Sequence, residues 1–356
     1  MSLDSADNVI LLASTFRHYF LGLGVALADP ARAYHLVFID QKFNDERNPV
    51  YMAAKKLVEP FSSVMCLPVV SDAKNKRRTR KASFKELERI VVQLRPNEII
   101  TGNDRRIEFQ FAMNSARKKV ELNVVGSYLD DGTGSYINGY DYNIKKRISD
   151  KYIDTPVKKL AYGSWYKRPL TFGASAWVDR CYLCYPELVL KELAFKECIL
   201  LDHAWYSSPG ALILLHKLIP LLGINDNVTS QGDSVLVVLP HSSIISELYG
   251  SLDKMKIMVE SLISKYDSVY VKYHPREEND PLCVADSAIL LPSSIPAEVY
   301  LCVMQFSKVI GDVSTALMSA VWLQPTCEVE YIETHAKISV PIVKLFNDMG
   351  MKKSTL

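Results

Sequence analysis

Short apolar runs, each followed by a segment of helix length, occur in two separate stretches of this chain. In the first stretch the runs are Asn8–Ser14, Tyr34–Asp40, Ser62–Val70, Glu98–Thr101 and Asn123–Asp130. Helical patterns over Thr15–Ala28, Val50–Leu57, Phe84–Leu94 and Arg105–Lys119 lie between them. In the second stretch, Ser234–Leu239 is almost continuously apolar, as a strand buried on both faces is. Ser268–Tyr273, Ala288–Leu291 and Lys308–Gly311 follow it, with helical patterns over Leu252–Lys265, near Ala297–Gln305 and after Ser314. Strands alternating with helices require parallel sheets with both faces covered. The expectation is an α/β protein of two Rossmann-like domains. The first runs over residues 1–230 and includes an irregular connecting segment from about Ile148 to Gln231. The second runs over residues 231–356. At about 100–200 residues per domain, a chain of 356 residues has room for both.

Composition narrows the partners. The 42 basic and 40 acidic side chains leave a formal charge of +2, without the clustered excess of a duplex nucleic-acid binder. The seven cysteines are scattered and odd in number, which suits a reducing compartment. Cys66, Cys198 and Cys302 lie in apolar runs and read as small buried side chains. Cys181-Tyr-Leu-Cys184 has the spacing of a zinc or redox pair. It lacks a second such pair, so it too reads as two buried thiols. The N-terminal residues lack the basic and apolar regions of a signal peptide. No apolar run reaches membrane-spanning length. These features point to a cytoplasmic location. Lys74–Lys81 holds six basic residues in eight and reads as a solvated loop that would also suit an anionic lipid surface or glycan. A peripheral contact with the inner face of a membrane therefore stays open. Trp165-Tyr166 and Trp177 read as core.

Ligands of open α/β sheets bind beyond the carboxyl ends of the strands, and three strand ends carry suggestive chemistry. Tyr128-Leu-Asp130-Asp131-Gly132 places paired carboxylates on a tight turn, where one can serve as a general base. Val271-Lys-Tyr-His274-Pro275-Arg276 fixes an imidazole between two cations. Gly311-Asp-Val-Ser314-Thr315 leads into a helix whose first N–H groups and dipole favour a phosphate. The Gly-rich dinucleotide and P-loop fingerprints are absent. Secondary candidates are Ser14, Thr15 and Arg17 after the first strand, Asn103 and Asp104 after the fourth, and His241 after Pro240.

In this order, an acid-acid-Gly turn, a His-Pro and a late Ser-Thr pair, the chain resembles the bacterial sialyltransferases of GT-B architecture. The likeness is to the lipooligosaccharide sialyltransferases and the capsular polysialyltransferases. The resemblance implies two Rossmann-like domains facing across a cleft. It implies inverting, metal-independent transfer of sialic acid from CMP-sialic acid to a surface glycan such as lipooligosaccharide, O-antigen or capsule. It assigns Asp131 as general base on the acceptor hydroxyl, with Asp130 beside it and Gly132 supplying the turn. His274 would contact the CMP phosphate and assist its departure, Ser314 and Thr315 would hold that phosphate, and Glu298 would bind the ribose. No cofactor or metal is expected. Another CMP-nonulosonate or CMP-Kdo as donor keeps the mechanism, and a non-catalytic nucleotide- or glycan-binding protein keeps only the fold.

Overall fold

The computed structural model describes residues 7–39, 49–67, 76–137, 148–223, 232–332 and 340–354. The chain divides into two compact units, Met1–Trp205 and Tyr206–Leu356. The boundary expected between residues 230 and 231 lies outside the described residues. Helix Pro209–Leu221, expected in the connecting segment, packs on helix Ala297–Val303 within the second unit.

The first unit is built on strands β1 (Asn8–Ala13), β2 (Ala33–Phe38), β3 (Ser63–Cys66), β4 (Glu98–Thr101), β5 (Val125–Leu129), β6 (Arg180–Leu183) and β7 (Glu197–Leu200). All pair in parallel, in the order β3-β2-β1-β4-β5-β6-β7. Val9 to Ala13 of β1 are buried throughout, because helices cover both faces of a parallel sheet. Ile10, Leu12, Ile99, Phe109 and Tyr128 belong to one apolar core. The order reverses direction between β1 and β4, which opens a crevice beyond the ends of these strands.

The segment expected to be irregular after Ile148 contributes β6 and β7 to this sheet. Their runs are four residues each, and β7 is largely exposed at the sheet edge, so neither carries the apolar signature of a central strand. Cys181 and Cys184 of this segment are buried free thiols, and burial pushes the Cys181 thiol up to about 12. Cys66, Cys198 and Cys302 are half-buried rather than fully buried. Tyr166 is buried, with Trp165 and Trp177 packed against the same core. The basic run joins helix Lys76–Leu94 from its first residue instead of forming a loop, while residues 74 and 75 lie outside the described residues.

The second unit holds β8 (Ser234–Val238), β9 (Ser268–Lys272), β10 (Ile289–Leu291), β11 (Lys308–Gly311), β12 (Glu328–Tyr331) and β13 (Lys352–Lys353). They are also parallel, in the order β10-β9-β8-β11-β12-β13. The reversal falls between β8 and β11. Gly311 is required at the end of β11, where an added Cβ would lie 2.4 Å from the Val238 carbonyl oxygen. The two Rossmann-like sheets expected from the sequence are thus both present. Among the described residues, no helix is long and apolar enough to cross a membrane.

Candidate active site

The two acids of the strand-end turn have opposite fates. Asp130 is fully buried. Arg17 reaches it from the first turn of helix Phe16–Ala28, with Nη2 3.1 Å from Oδ1. The same carboxylate accepts the Gly132 N–H at 2.7 Å, the Cys184 N–H at 3.0 Å and the Tyr136 hydroxyl. Every one of these partners fixes the turn, so Asp130 holds the backbone and is not free to meet a ligand. Gly132 follows with φ +75° and ψ −138°, a backbone that only glycine adopts without strain. This turn throws the next carboxylate outward: the Asp131 side chain is 24% exposed. Its N–H donates to Ser135 Oγ at 3.0 Å, and Ser135 Oγ in turn meets the buried Tyr128 hydroxyl at 2.8 Å.

His18 is the residue that sequence reasoning missed. It is 1% exposed, and its Nε2 lies 2.9 Å from Asp131 Oδ1. The Ser14 N–H points at its Nδ1 from 3.2 Å, and Ser14 Oγ lies 3.1 Å from the same atom. An amide proton aimed at Nδ1 leaves that nitrogen as an acceptor, so the ring proton sits on Nε2 and is donated to Asp131. Thr15 caps the helix by accepting the His18 N–H at 3.3 Å. Ser14 and Thr15, expected as ligand contacts, are therefore engaged in setting His18. The signal was present in the sequence, since a strand ending in Ser14-Thr15 puts residue 18 on the first helical turn above the strand ends.

The floor under His18 is Gly102, just after β4. A Cβ at Gly102 would lie 2.0 Å from both Cδ2 and Nε2 of the imidazole. The ring is buried and cannot swing aside at low cost. Gly102→Ala is therefore expected to break the His18–Asp131 hydrogen bond and to cost about 1–3 kcal/mol of stability, the usual range for overpacking. A urea midpoint equal to wild type, with an unchanged His18 ring signal in NMR, would refute this. Beside Gly102, Asn103 Oδ1 accepts the Arg105 N–H at 3.1 Å and closes a tight local turn. Asp104 is fully buried and accepts the Ser175 N–H at 2.8 Å. Burial pushes its carboxyl up to about 6. The structure places Asp104 in the protein interior.

The second unit gathers its own strand-end cluster. His274 follows β9 and is half-buried, with Nδ1 accepting the Arg276 N–H at 3.1 Å. Its proton therefore sits on Nε2. Burial, helped by Arg276, His241 and Lys272, holds its pKa below the ordinary histidine value, so the ring is neutral near pH 7. His241 lies beside it with ring centroids 6.1 Å apart. It caps helix Ser242–Tyr249, which lies outside the helical patterns read from the sequence, and accepts the Ser243 N–H at 3.3 Å. Glu277, not anticipated, accepts the Ser242 N–H at 2.9 Å and lies 3.9 Å from His241 Nε2. It ties the loop after β9 to the helix after β8.

Ser314 stands at the N-cap of helix Thr315–Leu323 in an extended conformation, yet its hydroxyl makes no capping bond. Among the described residues, Ser314 Oγ is buried without a hydrogen-bond partner. A buried hydroxyl without a partner costs about 1–3 kcal/mol, and an anion at this helix start would satisfy it together with the free N–H groups. Thr315 is the first residue of that helix. Glu298 is buried and accepts the Ser319 hydroxyl at 3.2 Å, which couples helix Ala297–Val303 to helix Thr315–Leu323. Lys272 is also buried, and its Nζ donates to the Tyr273 and Ser293 carbonyls at 2.7 Å each.

Among the described residues, no group of His, Cys, Asp and Glu is arranged to hold a metal ion. Chemically, the first unit offers a partly exposed carboxylate oriented by a neutral imidazole. The second offers a neutral imidazole N–H, an unpartnered hydroxyl and a helix N-terminus, a set suited to a phosphate.

A family model described as alpha-2,8-polysialyltransferase (POLYST) matches residues 35–332. No curated protein matches the chain in sequence. Among solved structures, UDP-GlcNAc 2-epimerase from Neisseria meningitidis bound to UDP-GlcNAc is similar with a TM-score of 0.53 and 10% identity, over 98% of this chain and 87% of that one. UDP-GlcNAc 2-epimerase from Methanocaldococcus jannaschii gives 0.52 and 10%, over 97% and 87%. TcCGT1 in complex with UDP gives 0.53 and 13%, over 98% and 86%. At such identities the likeness is one of fold, GT-B with its two Rossmann-like sheets.

Proposed function

The chain belongs to the alpha-2,8-polysialyltransferase family, and from that premise we propose that it transfers sialic acid from CMP-sialic acid to a hydroxyl of a surface-glycan acceptor, with inversion and without a metal. The observation that carries this reading is the division of labour within the acid pair. Asp130 is consumed by the fold, while Asp131 is partly exposed and held by His18. A single outward carboxylate with a fixed partner is what deprotonation of an attacking hydroxyl needs.

In this reading the first unit activates the acceptor and the second holds the donor. Asp131 takes the proton of the acceptor hydroxyl as its oxygen bonds to the anomeric carbon. The bond from that carbon to the CMP phosphate oxygen breaks on the opposite face, which inverts the centre. Charge develops on one phosphate group only. The His274 Nε2–H, Ser314 Oγ and the free N–H groups at Thr315 supply preorganised donors to it. His241, set beside His274 by Glu277, lies at the nucleotide side, and Glu298 is the group we assign to the ribose. Asn103, at its turn beneath His18, lines the acceptor side.

The test is CMP release by the purified protein from CMP-sialic acid in EDTA, with and without a panel of glycan acceptors. Wild type is expected to release CMP under these conditions. His274→Ala is expected to release it about 10²–10³-fold more slowly, the usual effect of removing one preorganised donor. Absence of release from CMP-sialic acid, together with release from CMP-Kdo, would replace the donor. Absence with every CMP-nonulosonate would overturn the transferase reading.

A further inference from the structure

A surface outside these clusters has chemistry of its own. Between β5 and β6 the chain is helical over residues 148–162, as a π-helical turn at Asp150–Asp154 running into helix Thr155–Tyr162. Helix Thr155–Tyr162 buries none of its residues. Apolar side chains of the segment face solvent: Ile153 of the π-helical turn is 63% exposed, and Val157 and Leu160 of the helix are 60% and 92% exposed. These three follow the i, i+4, i+7 spacing of one helical face. Tyr152 and Ile148 of the same segment are exposed as well. An exposed apolar face of this kind marks an interaction surface.

The surroundings are basic. Both acids of the helical segment are already neutralised: Asp150 pairs with Arg168 at 2.8 Å, and Asp154 with Arg168 and Lys158 at 2.9 Å each. At the end of the segment Tyr162 accepts a hydrogen bond from Arg80 at 3.3 Å and packs on Phe84, with centroids 5.9 Å apart. That contact joins it to the basic start of helix Lys76–Leu94, where Arg78, Lys81 and Lys85 are exposed. Lys159 and Lys167 are exposed nearby in sequence. Among the described residues none of these five cations bonds an acid.

We propose that the apolar face of residues 148–162, flanked by the basic start of helix Lys76–Leu94, docks on an anionic phospholipid surface. An interfacial helix with an apolar face and flanking cations lies in the membrane plane with that face among the acyl chains. The flanking lysines and arginines meet the negative headgroups. A protein partner would have to match both the apolar stripe and the surrounding positive field, whereas an anionic bilayer supplies both everywhere. The inference rests on surface residues that the transfer reaction does not use, so it stands or falls separately from the catalytic reading.

The test is co-sedimentation of the full chain with vesicles of phosphatidylcholine mixed with phosphatidylglycerol, and with pure phosphatidylcholine vesicles. Binding to the anionic vesicles, weakened by added salt and much weaker on pure phosphatidylcholine, is expected. The double variant Val157→Ser/Leu160→Ser is expected to lose about tenfold or more in vesicle affinity. Lys81→Glu/Lys85→Glu is expected to lose about fivefold or more for each lysine changed. These side chains are exposed, and unchanged melting curves and CMP release without vesicles confirm that each variant is folded. Failure to bind anionic vesicles, or binding unaffected by both double variants, overturns the proposal. Self-association of the chain that Val157→Ser/Leu160→Ser abolishes, without vesicle binding, would assign the face to a second copy instead and equally overturn it.

Discussion

Asp131→Asn leaves the fold in place and lowers kcat/KM for glycan transfer by about 10²–10⁴-fold, the span of a lost general base. The geometry makes this substitution unusually clean. Asn Oδ1 can still accept the His18 Nε2–H that Asp131 now accepts at 2.9 Å. The backbone bond from residue 131 to Ser135 Oγ does not involve the side chain. What disappears is the capacity to take a proton. Since the donor phosphate is assigned to the other unit, KM for the CMP-sugar should stay near wild type, and the loss should appear in kcat. His274→Ala should show the complementary pattern, slowing CMP release even where water replaces the acceptor. Retention of more than about a tenth of wild-type transfer by Asp131→Asn, against an expected loss of at least 10², would remove Asp131 from the reaction.

Arg17→Met is expected to lower unfolding free energy by about 3–5 kcal/mol, because it strands a fully buried carboxylate. The side chains of Arg17 and Asp130 are 9% and 0% exposed, so solvent does little to screen their interaction. The cost cannot be recovered by removing Asp130 as well. Its carboxylate also satisfies the N–H groups of Gly132 and Cys184 and the Tyr136 hydroxyl. Replacing it by an apolar residue would leave those donors unpaired in the interior. Urea unfolding followed by fluorescence measures the difference. A change below about 1 kcal/mol, the scale of an exposed ion pair, would show that the pair contributes little to the turn.

The strands of both central sheets were legible because burial on two faces leaves continuous apolar runs such as Val235–Val238. The edges were not. β6 and β7 are short, β7 is half solvated, and β13 is two lysines held by pairing with β12. Helix Ser242–Tyr249 was hidden behind Pro240, since its cap is an imidazole in place of the usual small hydroxyl or carboxylate. At the site, the positions of Asp131, His274 and Ser314 follow from strand ends that the sequence displays. The roles of their neighbours do not. Asp130 and Asp131 look alike as letters, and only the approach of Arg17 and Cys184 separates them. His18 lies 113 residues from its partner, and no local pattern announces that pairing. Glu277 was likewise invisible, because it works by receiving a backbone N–H from another strand's loop.

The bonds that Asp130 makes to β6 set an order of events during synthesis. The Asp130 N–H donates to the Tyr182 carbonyl, its carboxylate accepts from Cys184, and the Tyr185 N–H donates to the Tyr136 hydroxyl. A nascent chain that has emerged only through Tyr136 already carries His18, Asp131 and the residues of the turn, but the supports from Tyr182, Cys184 and Tyr185 are still to come. The first unit therefore matures late. Ribosome-bound intermediates should hold the first five strands while the acid-acid-Gly turn stays open to exchange, and the turn closes only as β6 slots in beside β5.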